Sequence, residues 1–219
     1  MSQLPDMATY LATLAPLGIT PRAVIDVGTC HGTPELTAAF PSALHIFIEP
    51  APALAARIAQ LAARYGGEAY PLALGQAPAT APLHCPDSGV EGASLAWGRT
   101  RGGPQVRVET LDRLFASRTL PRPLLIKTDC QGHDLPVLQG GTALLRQTDI
   151  VVAEANLFHP AGQPDLGDMA DLVGFMRAQG FAPHALFTPR YRPRDGALGQ
   201  IDIAFARNDG PLRTHHSWG

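Results

Sequence analysis

The sequence predicts an open α/β sheet, mostly parallel, with helices on both faces. Three observations carry this reading. Apolar runs of strand length recur at 22–27 (RAVIDV), 43–49 (ALHIFIE), 123–129 (PLLIKTD) and 149–154 (DIVVAE), and they are continuous, not alternating, as strands buried on both faces require. Segments of helical period separate them. Strand and helix alternate in order, which right-handed crossovers convert into one edge carrying every parallel strand's C-terminal end, where ligands bind.

Taken in order, Met7, Tyr10, Leu11 and Leu14 stand at helical spacing within 6–17, and Gly18 and Pro21 end the helix. Strand 22–27, helix 33–40 and strand 43–49 follow. Residues 52–64 form an amphipathic helix with Pro52 in its first turn. A third strand spans 68–74. Residues 75–103, rich in Gly, Pro and Ser, break the rhythm and read as an inserted hairpin-like excursion with short strands at 82–85 and 93–97. Then come strand 106–110, helix 111–118, strand 123–129, helix 134–146, strand 149–154, helix 166–179, and strands 182–188 and 200–206. The expected organisation is a helical extension (1–21), a main domain (22–207) with 76–103 as lid, and an aperiodic tail (208–219).

Bulk properties narrow the function. A formal charge of −2 argues against a general polyanion binder, and no aromatic-basic stripe suggests a nucleic acid partner. The cations are sixteen Arg and one Lys, Lys127. Three dispersed cysteines, Cys30, Cys85 and Cys130, support neither a disulfide framework nor a zinc site and suggest a reducing compartment. The first 18 residues lack the basic and apolar regions of a signal peptide, and no run approaches the roughly 20 apolar residues of a membrane span. A cytoplasmic protein is expected.

Three motifs lie on the predicted functional edge. In VIDVGTCHG (24–32), Asp26 closes an apolar strand, Gly28 begins a turn and Gly32 opens the next helix. Glycine lets backbone approach a ligand closely, though a tight turn without ligand has the same pattern. Cys30 replaces the second Gly of a dinucleotide fingerprint, which disfavours nicotinamide cofactors, and Asp26 would repel a pyrophosphate but accept a bond from an ammonium. Glu49, ending the second strand about 20 residues on, suits chelation of two ribose hydroxyls. Pro50 then turns the chain out of the strand. In LLIKTDCQGHDLPVLQGG (124–141), alternation puts Lys127 and Asp129 on one side and Ile126 and Thr128 on the other. Asp129 falls at the strand end. Lys127 has two candidate partners across neighbouring strands, Asp26 and Glu154, and Asp134 complements a helix dipole.

VIDVGTCHG, HIFIEP, ALG (73–75), TLD (110–112), LIKTDCQGHDLPVLQGG, VVAE and QIDIAF together resemble, in the same order, the FkbM family of methyltransferases. The resemblance spans roughly residues 22–206. It implies the seven-stranded class I methyltransferase sheet with its last strand antiparallel, S-adenosylmethionine as cofactor, and O-methylation of a sugar, glycolipid or natural-product hydroxyl. It also implies that Asp26, Gly28, Thr29 and Gly32 hold the methionine part of the cofactor and Glu49 the ribose, with Pro50 beside it and Ala73, Leu74 and Gly75 near the adenine. The sequence departs from the family at Cys30-His31, where Asn is frequent, and at His133, where a small residue is common.

Methyl transfer from a sulfonium is an in-line displacement aided by a base that takes the acceptor's proton. Asp129 and His133 are the candidates: Asp129 has the fixed strand-end position, His133 the more suitable ordinary pKa. Asp129, Glu154 and Asn156 also offer an oxygen set for Mg²⁺, a reading weighed below a simple Glu154–Lys127 pair. A cofactor-binding accessory protein without turnover is the competing class. His45, His84, His159 and His184 receive no role. Trp97 either covers the acceptor or packs into the excursion, and Arg190, Arg192 and Arg194 either meet an anionic acceptor or are solvated loop charges.

Overall fold

A computed structural model describes residues 4–86, 89–96, 103–159 and 167–217. Its elements are α1 (Met7–Leu14), β1 (Ala23–Val27), α2 (Pro34–Ala39), β2 (Leu44–Ile48), α3 (Ala55–Tyr65), β3 (Glu68–Tyr70), β4 (Ala73–Leu74), β5 (Ala79–Pro82), β6 (Gln105–Glu109), α4 (Leu111–Leu114), β7 (Leu124–Thr128), α5 (Asp134–Gln139), α6 (Thr142–Leu145), β8 (Ile150–Asn156), α7 (Met169–Ala178), β9 (Phe181–Tyr191) and β10 (Leu198–Arg207). The main sheet has seven strands in the order β3-β2-β1-β7-β8-β10-β9. All neighbours are parallel except that β10 runs antiparallel to β8 and to β9. This is the class I methyltransferase sheet with an antiparallel last strand.

Continuous apolar strands are explained by burial on both faces: every residue of β1 and of β7 is buried. Ala23, Ile25, Leu124 and Ile126 face α4 to α7, packing with Leu111, Val137, Leu144 and Met176. Val24 and Leu125 face the other side, packing with Tyr10, Leu11 and Leu14 of α1 and Leu36 of α2. Asp6 caps α1 by accepting a bond from the Thr9 amide at 2.7 Å. On that same side, α3 buries Ile58, Leu61 and Ala62 against Phe47.

Three expected elements differ in form. The strand expected over 68–74 divides: β3 pairs with β2, whereas β4 pairs with β6 in a separate three-stranded sheet ordered β4-β6-β5. Pro71, between them, has no N–H to give to a ladder. The helix expected over 134–146 breaks at Gly140-Gly141, where a Cβ would collide with the Gly75 carbonyl or with Leu111. In the excursion the first strand lies at 79–82, not 82–85, and around 93–97 the described residues show only a bridge between His84 and Ser94. Trp97 and residues 160–166 lie outside the described residues. Among the described residues, no helix is long and apolar enough to cross a membrane.

Candidate active site

At the edge where β1, β2 and β7 end there is a cavity of about 440 Å³, within the range of small-molecule sites, roughly 300–1,000 Å³. Gly28, Glu49 and Asp129, each at a strand end, line it together with Pro50 and His133. Leu72, Ala73 and Leu74 supply an apolar wall, residues 90–95 of the excursion line it as well, and Arg190 of β9 reaches it from across the sheet. Of the residues singled out in the sequence, Gly28, Glu49, Pro50, Leu74, Asp129 and His133 therefore meet in one place. Asp26, Thr29 and Gly32 do not line it.

The reason lies in how the first turn is built. Gly28 holds φ 72°, and a Cβ there would collide with the Asp129 carbonyl, so the β1 and β7 loops pack backbone against backbone. The amides of Gly28 and Thr29 donate to the Ile48 carbonyl, that of Cys30 to Glu49 Oε2, and that of Gly32 to the Thr29 carbonyl. The turn thus closes on β2, and those four donors are already paired. Thr29 Oγ1 donates to the Asp26 carbonyl and accepts from the Ile48 amide. Glu49 is gripped twice, by the Cys30 amide at 2.8 Å and the Ala51 amide at 2.9 Å. A carboxylate offers about four lone-pair sites, so roughly two remain for a ligand.

Beneath the cavity lies Lys127, 4% exposed. Its Nζ is 3.3 Å from Asp26 Oδ1 and 3.6 Å from Asp129 Oδ2, and it donates to the Gly28 carbonyl at 3.4 Å. Burial alone would discharge it, but Asp26 and Asp129 outweigh burial and hold it protonated, above its ordinary range. Asp26 thus places its charge under the floor, facing Lys127, rather than toward an ammonium in the cavity. The alternative Lys127–Glu154 pair does not form: Lys127 is in register with Asp26 on one side and with Val152 on the other.

Glu154 belongs to a different cluster. Gln131 Nε2 donates to Asp129 Oδ1 at 2.8 Å and to Glu154 Oε2 at 3.2 Å, bridging the two acids. Burial, then the nearby charges of Asp134 and Asp129, push Glu154 well above the carboxylate range, so it stays protonated beside Asp129. Burial would also raise Asp129, yet Lys127 and the bonds from Glu154 and Gln131 hold it below its ordinary value. Among the described residues no three His, Cys, Asp or Glu side chains converge to hold a metal. Burial pushes His133 down to about 4, and its Nδ1 has no partner among the described residues. It is neutral at physiological pH.

Asp134, taken in the sequence for a simple dipole complement, is buried behind this cluster. It accepts from the Cys130 amide, and burial pushes it up to about 7. Below that value the folded chain keeps a proton that the unfolded chain, at its ordinary 3.8, has lost, so stability falls as pH rises toward and through 7. His133, at its ordinary 6.5 in the unfolded chain, opposes the trend until that proton is lost, largely by about pH 7.5. Asp134 by itself contributes a loss of about 1 kcal/mol between pH 6.5 and about 8, which the histidines partly offset, so the difference between wild type and variant isolates it. Calorimetry at constant ionic strength checks this; Asp134→Asn should shrink the drop, and an unchanged slope in that variant would count against Asp134 as its source.

Sequence reasoning missed Ser94, whose hydroxyl donates to the Gln131 carbonyl at 2.9 Å and ties the excursion to the floor. Nothing in its local pattern distinguishes it from other loop serines. Of the three arginines, Arg192 pairs with Asp195 at 3.2 Å and stacks on Phe158, and Arg194 is exposed; Arg190 alone lines the cavity.

A family model described as the methyltransferase FkbM domain matches residues 26–183, well over half of the chain. A relative, the hexuronic acid methyltransferase AglP of Haloferax volcanii, is 27% identical over 129 residues. That match covers 59% of this chain and 54% of the relative, so the chain spans about half the length of the protein it matches. Among solved structures, a putative RNA methyltransferase from Pyrococcus horikoshii is 14% identical (91% of this chain, 83% of that chain, TM-score 0.48). A magnesium protoporphyrin IX methyltransferase from Synechocystis PCC 6803 with bound S-adenosylmethionine is also 14% identical (91% and 76%, TM-score 0.48).

Proposed function

The chain belongs to the FkbM methyltransferase family, and from this premise we propose that it is an S-adenosylmethionine-dependent enzyme that methylates a hydroxyl oxygen of a carbohydrate acceptor, with Asp129 receiving the proton. The observation that carries the reading is the position of Asp129: at the end of β7, on the cavity floor, its side chain 40% exposed and held ionised from below by Lys127. The sugar-modifying name of the Haloferax relative supports a carbohydrate acceptor.

The residues present fit the cofactor. Glu49 keeps lone pairs free for a ribose diol, and Leu72 and Leu74, with Pro50, form a wall suited to adenine. The carboxylates of Glu49 and Asp129 make the cavity acidic, which favours a ligand carrying a sulfonium and an ammonium. Asp26, Thr29 and Gly32 act from outside the cavity by fixing the turn that places Gly28. When bound, S-adenosylmethionine supplies an electrophilic methyl group that an oxygen nucleophile can take in line. The chain's own task is to align the acceptor hydroxyl and draw off its proton as the oxygen's charge develops. Asp129 is ionised for that purpose at any pH near neutral. His133, half-buried and neutral, borders the same space as a second acceptor.

The test is transfer of a carbon-13-labelled methyl group to simple glycosides, with NMR distinguishing an ether methyl from an N- or C-methyl. A methyl on nitrogen or carbon would overturn the O-methylation reading. No binding of S-adenosylhomocysteine at millimolar concentration would overturn the assignment of the cavity. For Glu49→Gln, whose amide group cannot accept from both Cys30 and Ala51, we expect the Kd for S-adenosylhomocysteine to rise roughly ten- to a hundredfold by titration calorimetry. An unchanged Kd would remove Glu49 from the cofactor site.

A further inference from the structure

Arg190 is the one lysine or arginine among the described residues that line the cavity, and its guanidinium forms no ion pair or hydrogen bond with the described residues. Asp129 and Asp202 feel its charge but neither pairs with it. The other charged residues that line the cavity are carboxylates, and the exposed guanidinium is free to meet an anionic group of a ligand.

Two features of the fold place it there. The strand order sets β2, with Glu49 after it, on one side of β7 and β9 on the other, so Glu49 and Arg190 stand at opposite ends with Asp129 between them. Within β9 the register changes between Asp202↔Phe187 and Gln200↔Arg190, where three steps on β9 face two on β10. This β-bulge contains Thr188 at φ 54°, a left-handed conformation that a β-branched residue rarely accepts. Bulges beside sites re-aim side chains, and backbone strain of this kind persists where the surrounding structure enforces it. Here it turns the end of β9 so that Arg190 meets the cavity.

We propose that Arg190 reads a carboxylate on the acceptor, so that the sugar methylated at this site is an acidic one; this rests on the carbohydrate reading above. The planar guanidinium matches a carboxylate with two parallel hydrogen bonds, a geometry lysine cannot reproduce. With the cofactor's nucleoside toward Glu49, the space between Asp129 and Arg190 receives the acceptor, its hydroxyl toward Asp129 and its acid group toward Arg190. The arginine is then a specificity-determining residue, and the proton still leaves to Asp129.

The experiment measures binding of methyl glucuronoside and methyl glucoside to the protein saturated with S-adenosylhomocysteine, in wild type, Arg190→Ala and Arg190→Lys. The glucuronoside should bind about tenfold more tightly in wild type. Arg190→Ala should abolish that preference, Arg190→Lys should restore part of it, and the affinities for the neutral glycoside and for S-adenosylhomocysteine should not change. Equal binding of the two glycosides in wild type overturns this proposal alone. Binding of neither overturns the carbohydrate reading and this proposal with it. A weaker Kd for S-adenosylhomocysteine in Arg190→Ala overturns it by assigning the arginine to the cofactor's own carboxylate. Because Arg190 is exposed and unpaired, the variants test recognition without challenging the fold.

Discussion

Replacing Asp129 with Asn should cut turnover roughly 10²- to 10⁴-fold while leaving the Kd for S-adenosylhomocysteine within about twofold. The amide has the shape of the carboxylate and can still accept the bond from Gln131 Nε2, and Lys127 keeps Asp26 as its partner. What disappears is the group that takes the acceptor's proton. Because Lys127 and its hydrogen bonds hold Asp129 below its ordinary 3.8, the wild-type rate should show no acid limb near neutral pH; activity is lost only as pH falls through that low value. Single-turnover kinetics and calorimetry separate the two effects. A variant keeping more than a tenth of the wild-type rate would move the base role to His133, and His133→Asn would then carry the loss.

The largest effect on stability is expected at Lys127. Removing one member of a buried ion pair leaves the other charged and unmatched, at a cost of about 3–5 kcal/mol. Lys127→Ala should therefore lower Tm by roughly 10 °C or more. Both partners are almost fully buried, Asp26 at 2% and Lys127 at 4% exposure. The double change Asp26→Leu with Lys127→Met, which removes both charges and keeps much of the volume, should recover most of that loss, since apolar replacement of a whole buried pair is often neutral. If Lys127→Ala alone costs less than about 1 kcal/mol by denaturant titration, the pair is not what holds β1 to β7 at the site.

How much of this was legible in the residues depends on how local each cause was. Asp26, Glu49 and Asp129 each stand at or near the close of an apolar run, so their positions could be read directly: Glu49 and Asp129 directly follow β2 and β7, and Asp26 is the penultimate residue of β1. The sequence left Lys127's partner open because Asp26 and Glu154 both lie near the C-terminal ends of strands that flank β7; only the register, Lys127 opposite Asp26 and opposite Val152, decides between them. Periodicity did not show the break at Gly140-Gly141, because its cause is the approach of Gly75 and Leu111 from distant parts of the chain. Asp26's absence from the cavity was hidden for the same reason: the amides of Gly28, Thr29 and Cys30 turn toward β2, a neighbour invisible to a local motif. Arg190 sits in a run of loop-like arginines, and the bulge at Thr188 that singles it out is a property of the pairing with β10.

Lys127 is the only lysine in the chain, so its burial has a chemical corollary. No other side-chain amine exists to react with an acylating reagent, and this one sits between two carboxylates beneath backbone. Covalent labelling of a lysine in this protein therefore requires β1 and β7 to part first, and the rate of that reaction is a clock for opening of the sheet. Every remaining permanent cation is a guanidinium, which electrophiles of that class leave untouched.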